Sequence, residues 1–404
     1  MREEVIAMGL KILFVGTACP FGEISGAGLR TLNLIRLLER IGEVTVVFAT
    51  GRDWTMEQEE QTRAAFKVAL ISRYIETPVD SLRDRYRKIF DPSFMNTNGV
   101  IAPPADARQL DELIANHDVV WLHTLKLANA FRRDHWPKSV MDVDDYPSRF
   151  HQSAAGQEPT WRGRLLRRQK AFSWRRHEAR CLERFDVLTV CKPADVAHFG
   201  DPQRVRVVPN GFSVDGSESF TYPPPALRIG MIGDFNYLPN HDGLRWFIRE
   251  AWPKLRGRFP TVTLRLVGKG SAEIAGKFED QGVEGLGYVS DVAQEIGSWS
   301  LMIVPTRLGG GTHLKVAEGL ARGVPIVTTT HGARGYDLVP EVHAFVTDGV
   351  DEFIRGCTAI LEDPAVGQRL RQSGLELFHE RFSWDSILPA VEQTVATCLS
   401  RQPR

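Results

Sequence analysis

The chain has 404 residues and a mass of 45.4 kDa, with 43% hydrophobic and 25% charged residues. At about 150 residues per domain this length fits two or three domains, and the composition excludes a disordered, coiled-coil or fibrous chain. Lys plus Arg is 50 and Asp plus Glu is 50, so no global field draws the protein to nucleic acid.

Cys19, Cys181, Cys191, Cys357 and Cys398 are scattered, odd in number and free of any Cys-x-x-Cys pair. A reducing compartment suits that pattern better than a disulfide framework or a structural zinc site. Met1-Arg-Glu-Glu4 places acid where an export signal wants only base, and runs such as Leu301-Met-Ile-Val304 fall far short of the ~20 residues of a span. The expectation is a cytoplasmic protein, at most peripheral to a membrane.

Short β-rich runs alternate with helical periodicity, the pattern of βαβ units and parallel sheets. Lys11–Val15 reads as a buried strand, and a loop holding Gly22, Gly26 and Gly28 leads into a helix. In that helix Leu34, Leu37, Leu38 and Ile41 recur at helical spacing, with Gly42 at its C-cap. Further strands are predicted at 44–48, 68–71, 119–122, 139–141, 187–190 and 205–208. Pro209-Asn-Gly211 and the Pro-rich stretch to Pro225 read as a linker. A second series follows, with strands at 227–232, 262–267, 287–289, 301–305, 326–329 and 344–346. The fold class is thus α/β, with two doubly wound halves facing across a cleft. An N-terminal domain takes 1–208, a linker 209–226 and a C-terminal domain 227–383. A last helix in 384–404 packs back toward the first domain.

The most informative segment runs from Pro305 to Pro325. A strand ends at Pro305, three glycines at 309–311 let backbone approach a ligand, and a helix begins near Thr312. The free N–H groups and dipole of a helix start suit a phosphate. Lys315 and Glu318 share one helical face a turn further in. There Lys315 can neutralise a diphosphate and Glu318 can accept from ribose hydroxyls; a surface ion pair beside a flexible loop is the competing reading.

Arg307-Leu-Gly-Gly-Gly-Thr-His-Leu-Lys-Val-Ala-Glu-Gly-Leu-Ala-Arg-Gly-Val-Pro-Ile-Val327 resembles the glycosyltransferase family 4 (group 1) enzymes of the GT-B fold. Gly230-Met-Ile-Gly-Asp-Phe-Asn-Tyr-Leu-Pro-Asn240, Leu266-Val-Gly-Lys-Gly270 and Gly287-Tyr-Val-Ser-Asp291 match too, with Val208-Pro-Asn-Gly-Phe212 and Phe382-Ser-Trp384. These matches span most of 205–385 in the family's order; in the first half only the 22–28 loop and the His123 region resemble it.

The resemblance implies transfer from a nucleotide-diphosphate sugar to a sugar, lipid-linked or small-molecule acceptor, with retention of configuration and without a metal or other cofactor. It implies donor binding by Gly233, Asn236, Gly268, Val289, Gly310, Gly311, Thr312 and Glu318. Lys315 and Arg307 would stabilise the leaving diphosphate. The family often carries a glutamate eight residues before Glu318, where this chain has Gly310. A sugar-nucleotide epimerase or hydrolase can share the two-domain architecture and stays open, and the missing glutamate keeps open a non-catalytic nucleotide-sugar-binding protein.

Three further features each admit two readings. His123 ends an apolar strand where a cleft histidine can meet a donor sugar, and it can equally cap a helix. Gly26-Ala-Gly28 lets backbone approach the donor phosphates, or lets the helix pack closely on its strand. Asp142-Val-Asp-Asp145 suits a divalent metal by its clustered carboxylates, or a solvated turn before Pro147. Finally, 161–184 carries nine Arg or Lys against two Glu, with Trp161, Phe172 and Trp174 interleaved. It fits peripheral contact with an anionic membrane, or an ordinary helix with a solvated basic face.

Overall fold

A computed structural model of the protein describes residues 9–21, 26–51, 54–76, 82, 86, 100–131, 133–144, 146–214, 220–278, 281–309 and 311–401. Gly22, Asp145 and Gly310, singled out in the sequence, lie outside these residues. The chain divides into two compact units, Met1–Pro209 with Ile387–Arg404, and Asn210–Ser386.

In the first unit the strands are β1 (Lys11–Gly16), β2 (Glu43–Thr50), β3 (Val68–Arg73), β4 (Ile75–Glu76), β5 (Val100–Ile101), β6 (Val119–His123), β7 (Ser139–Asp144), β8 (Val187–Val190) and β9 (Val205–Val207). Seven form one sheet in the order β3-β2-β1-β6-β7-β8-β9, every pair parallel, and β4 with β5 form a separate antiparallel pair. Strands covered on both faces read as continuous apolar runs, and Ile12, Leu13, Phe14 and Val15 are all fully buried. The helix α1 (Gly26–Glu39) follows β1 and buries Leu34, Leu37 and Leu38 as its periodicity requires, with Ile41 buried just beyond it.

Between β7 and β8 come α2 (Pro147–Gln157) and α3 (Trp161–Glu178), the latter capped by Thr160, whose hydroxyl accepts from Gly163 N. The buried Glu178 carboxylate ties the two helices together, accepting from Ser148 N at 2.9 Å and Ser148 Oγ at 2.5 Å.

The second unit holds β10 (Arg228–Ile232), β11 (Thr263–Val267), β12 (Val283–Gly287), β13 (Leu301–Val304), β14 (Ile326–Thr328) and β15 (Phe345–Val346), all parallel in the order β12-β11-β10-β13-β14-β15. The helix α4 (Leu238–Trp246) follows β10, and α5 (Leu314–Ala321) follows β13. The strand expected at 287–289 instead occupies Val283–Gly287. Its glycine-laced sequence lacks the unbroken apolar run that marks the other strands, and Tyr288 beyond it is 70% exposed. The helix α6 (Trp384–Leu399) ends the described chain. Within the first unit Arg206 Nη2 donates to Thr397 Oγ1 of this helix at 3.2 Å. Among the described residues no helix is long and apolar enough to cross a membrane.

Candidate active site

An open parallel sheet binds ligands outside the carboxyl ends of its strands, at the point where strand order reverses. In the second unit that point lies between β10 and β13. The loops there are the Gly233–Tyr237 turn and the segment from Pro305 to His313. Beside β10 the chain follows a path that only glycine takes easily. Gly233 has φ +151° and Gly268, after β11, has φ +119°. A Cβ on Gly268 would sit 2.3 Å from the Gly233 carbonyl oxygen, and one on Gly233 would sit 3.2 Å from Lys315 Nζ. The two turns are locked by Gly233 N donating to Val267 O at 3.0 Å and Phe235 N to Lys269 O at 2.9 Å.

Gly268→Ala is therefore expected to destabilise the protein by about 1–3 kcal/mol, the cost of a strained backbone held against another chain segment. Denaturant unfolding measures it; an unchanged midpoint would contradict the close approach.

Lys315 projects from the first turn of α5 toward these glycines and donates to Asn240 Oδ1 at 2.7 Å. Asn240 in turn donates to Asp234 O at 2.8 Å, so the amide is oriented by the β10 loop. Burial of the ammonium pulls the Lys315 pKa down to about 8, against the opposing pull of the nearby Glu318 carboxylate. A desolvated cation beside exposed backbone turns is a site poised for an anion. Glu318, one turn on, accepts from Arg322 Nε at 3.3 Å. Asn240 is a site residue absent from those expected on sequence grounds, although it lies in a motif quoted for the resemblance.

The remaining expected residues divide. Thr312 Oγ1 accepts from Asn210 Nδ2 at 2.7 Å, which fastens the glycine segment to the Pro209-Asn-Gly211 turn. The helix starts at Leu314, two residues later than expected, and Gly311 and Thr312 precede it in the loop. Asn236 is exposed in the β10 turn, its side-chain oxygen 3.0 Å from where a Gly270 Cβ would stand. Val289 packs against the buried cluster on one face of the sheet. Arg307 forms a two-toothed ion pair with Asp242, at 3.0 and 2.9 Å from Nη2, and lies 5.6 Å over the Trp246 ring. To meet a ligand phosphate, its guanidinium would have to exchange that carboxylate.

In the first unit the order reverses between β1 and β6, and His123 ends β6 at that point. It is fully buried. The reason is the neighbouring strand: His123 pairs in register with Asp142 on β7, and its Nδ1 lies 2.8 Å from Asp142 Oδ2. Arg30 of α1 grips the same carboxylate from Nε at 2.8 Å and Nη2 at 2.7 Å, and Thr189 Oγ1 donates to it at 2.5 Å.

Burial pushes the Asp142 pKa up, but the Arg30 guanidinium beside it prevails and holds the carboxyl well below the usual carboxylate range. An ionised carboxylate only accepts, so His123 Nδ1 carries the hydrogen. His123 Nε2 is buried and has no hydrogen-bond partner among the described residues. Asp142 is thus committed to Arg30, His123 and Thr189, and among the described residues no group of three His, Cys, Asp or Glu gathers to hold a metal. Gly26 is exposed and Gly28 buried in the first turn of α1, the helix that delivers Arg30.

Residues 226–363 match the family described as glycosyl transferases, group 1. Residues 226–363 are thus a group 1 glycosyltransferase domain. No curated protein matches the sequence. Among solved structures the chain resembles a sucrose-phosphate synthase from Thermosynechococcus elongatus, at 15% identity and a TM-score of 0.66 over 95% of this chain and 98% of that one. It resembles Anabaena HepE at 17% identity and a TM-score of 0.63, covering 96% and 99% of the two chains. A glycosyltransferase from Rickettsia africae gives 13% identity and a TM-score of 0.65, covering 98% and 100%. These likenesses span nearly the whole of each chain and establish the GT-B fold, with two Rossmann-like domains.

Proposed function

We propose that this glycosyltransferase moves a sugar from a nucleoside-diphosphate sugar to an acceptor with retention of anomeric configuration, and that it binds the donor at the carboxyl ends of β10 and β13. The observation that carries the reading is the desolvated Lys315 ammonium set against the Gly233 and Gly268 turns. The likeness to HepE, whose structure holds UDP-glucose, supports the donor class. Lys315 meets the diphosphate and Glu318 accepts from the ribose hydroxyls. As the bond from the sugar's anomeric carbon to the diphosphate breaks, negative charge grows on the departing oxygen, and a fixed cation there lowers the barrier. The acceptor oxygen bonds to the same carbon, and its proton passes to the departing diphosphate.

A panel of nucleotide sugars incubated with candidate acceptors in excess chelator tests this reading. The expected products are free nucleoside diphosphate and a new glycoside of retained configuration. Diphosphate without glycoside would point to a hydrolase, and binding without turnover to a carrier. Turnover lost in chelator and restored by Mn²⁺ would contradict the metal-free part.

The Lys315 pKa also sets a pH dependence. The free protein carries this charge below about pH 8 and loses it above, whereas a bound diphosphate favours the charged form. Affinity for a bare nucleoside diphosphate is therefore flat below about 8 and falls toward tenfold per pH unit above it. Calorimetry between about pH 7 and 9 measures the fall. Lys315→Gln removes the slope; a slope that survives this substitution belongs to another group.

A further inference from the structure

The helix α3 carries a surface in the first unit that sugar transfer leaves unused. One side of it is spent inward: Ser173, Trp174, His177 and Glu178 are buried. At about 100° per residue, Trp161, Phe172 and Leu165 fall within about 40° of one another on the opposite side. They are 69%, 50% and 60% exposed, respectively. Arg164, Arg168 and Arg175 flank this stripe on one side, and Arg162 and Arg176 on the other. The flanking cations lean onto the rings, with the Arg162 guanidinium 5.4 Å over Trp161 and that of Arg176 5.6 Å over Phe172. The helix carries seven Arg or Lys against one acid, Glu178, which is buried.

We propose that this face docks on an anionic lipid bilayer, with α3 lying in the plane of the interface. Trp161, Leu165 and Phe172 enter the boundary between headgroups and acyl chains, while the arginines meet lipid phosphates. The stripe is too narrow and too closely flanked by cations for a protein core, which would strip water from the guanidinium groups on both sides. Nucleic acid would meet the arginines but leave Leu165 in water. A lipid interface takes both parts at once, with aromatic rings at headgroup depth and arginine stems running along apolar surface. The contact is peripheral and its strength depends on the surface potential.

Sedimentation with vesicles of phosphatidylcholine and phosphatidylglycerol, against vesicles of phosphatidylcholine alone, tests the proposal. The protein is expected to pellet with the anionic vesicles at low salt and to be released as salt rises toward about 0.5 M. Trp161→Ser combined with Phe172→Ser should cut the vesicle partition coefficient about tenfold or more. Because both side chains are exposed, the thermal midpoint of that variant should not move. Arg168→Gln combined with Arg175→Gln should weaken binding to anionic vesicles and flatten its salt dependence.

Equal pelleting with both vesicle types, or with neither, overturns the proposal, as does binding that the serine variant retains. So does a dimer that the serine variant dissolves, which would assign the stripe to a second copy. Tighter binding to a DNA duplex than to anionic vesicles overturns it in favour of nucleic acid. The readout is binding to lipid alone, so it stands apart from the donor-site reading.

Discussion

Lys315→Ala is expected to lower kcat by about a hundredfold to a thousandfold, the usual loss when one preorganised donor to a developing anion is removed. The side chain is preorganised by its neighbours. Nζ is fixed by Asn240 Oδ1 at 2.7 Å, and Asn240 is itself oriented by the carbonyl of Asp234. Desolvation of the ammonium weakens competition from water, so its attraction for the diphosphate strengthens as charge accumulates on the leaving oxygen. Glu318→Ala should behave differently. A carboxylate that binds ribose equally in ground and transition states mainly sets the donor KM, which should rise by about tenfold to a hundredfold. Steady-state kinetics of the two variants separate these effects. Equal losses in KM with kcat intact would remove Lys315 from the chemical step.

Arg30→Ala is expected to destabilise the protein by about 3–5 kcal/mol, the cost of leaving one partner of a buried ion pair unpaired. Both residues are at most 1% exposed, and Arg30 also donates to the carbonyl oxygens of Val208 and Pro209, each at 3.1 Å. The variant strips Asp142 of its compensating charge and loosens the chain where the first unit ends. The pH dependence follows from the direction of the Asp142 shift. A carboxyl held below its unfolded value near ~4 contributes stability that is present above ~4 and lost as pH falls toward the folded value. Urea unfolding between about pH 7 and 3 should show this loss in the native sequence and a weaker one in Arg30→Ala. A variant of undiminished stability would mean that the network adds nothing net to folding.

Strands such as Ile12–Val15 and Leu301–Val304 are legible in the sequence because burial on both faces writes an unbroken apolar run. The first helix is legible because Leu34, Leu37 and Leu38 repeat at its pitch. The strand Val283–Gly287 escapes that rule because glycines interrupt the run, and two-residue strands such as Ile75–Glu76 are too short to carry any period. In the site, the glycine segment and Lys315 stand out because loop and helix start lie side by side in the chain. The grip of Arg30 on Asp142 joins residues 112 positions apart, and no local pattern marks it. For the same reason Asp142, part of a carboxylate cluster that suits a metal in the sequence, is held in the fold by Arg30, His123 and Thr189. Arg307 shows a cation at the right place in the chain, whereas its pairing with Asp242 emerges only when α4 packs beside the β13 loop.

The central claim is that the second unit alone holds the nucleoside diphosphate. Calorimetry with the bare diphosphate on Lys315→Ala, Glu318→Ala and His123→Ala tests it most directly. Lys315→Ala and Glu318→Ala are each predicted to weaken binding by about tenfold or more, and His123→Ala to bind as tightly as the native sequence. Loss of binding in His123→Ala, with binding kept in the other two, would contradict it and move the donor to the first unit.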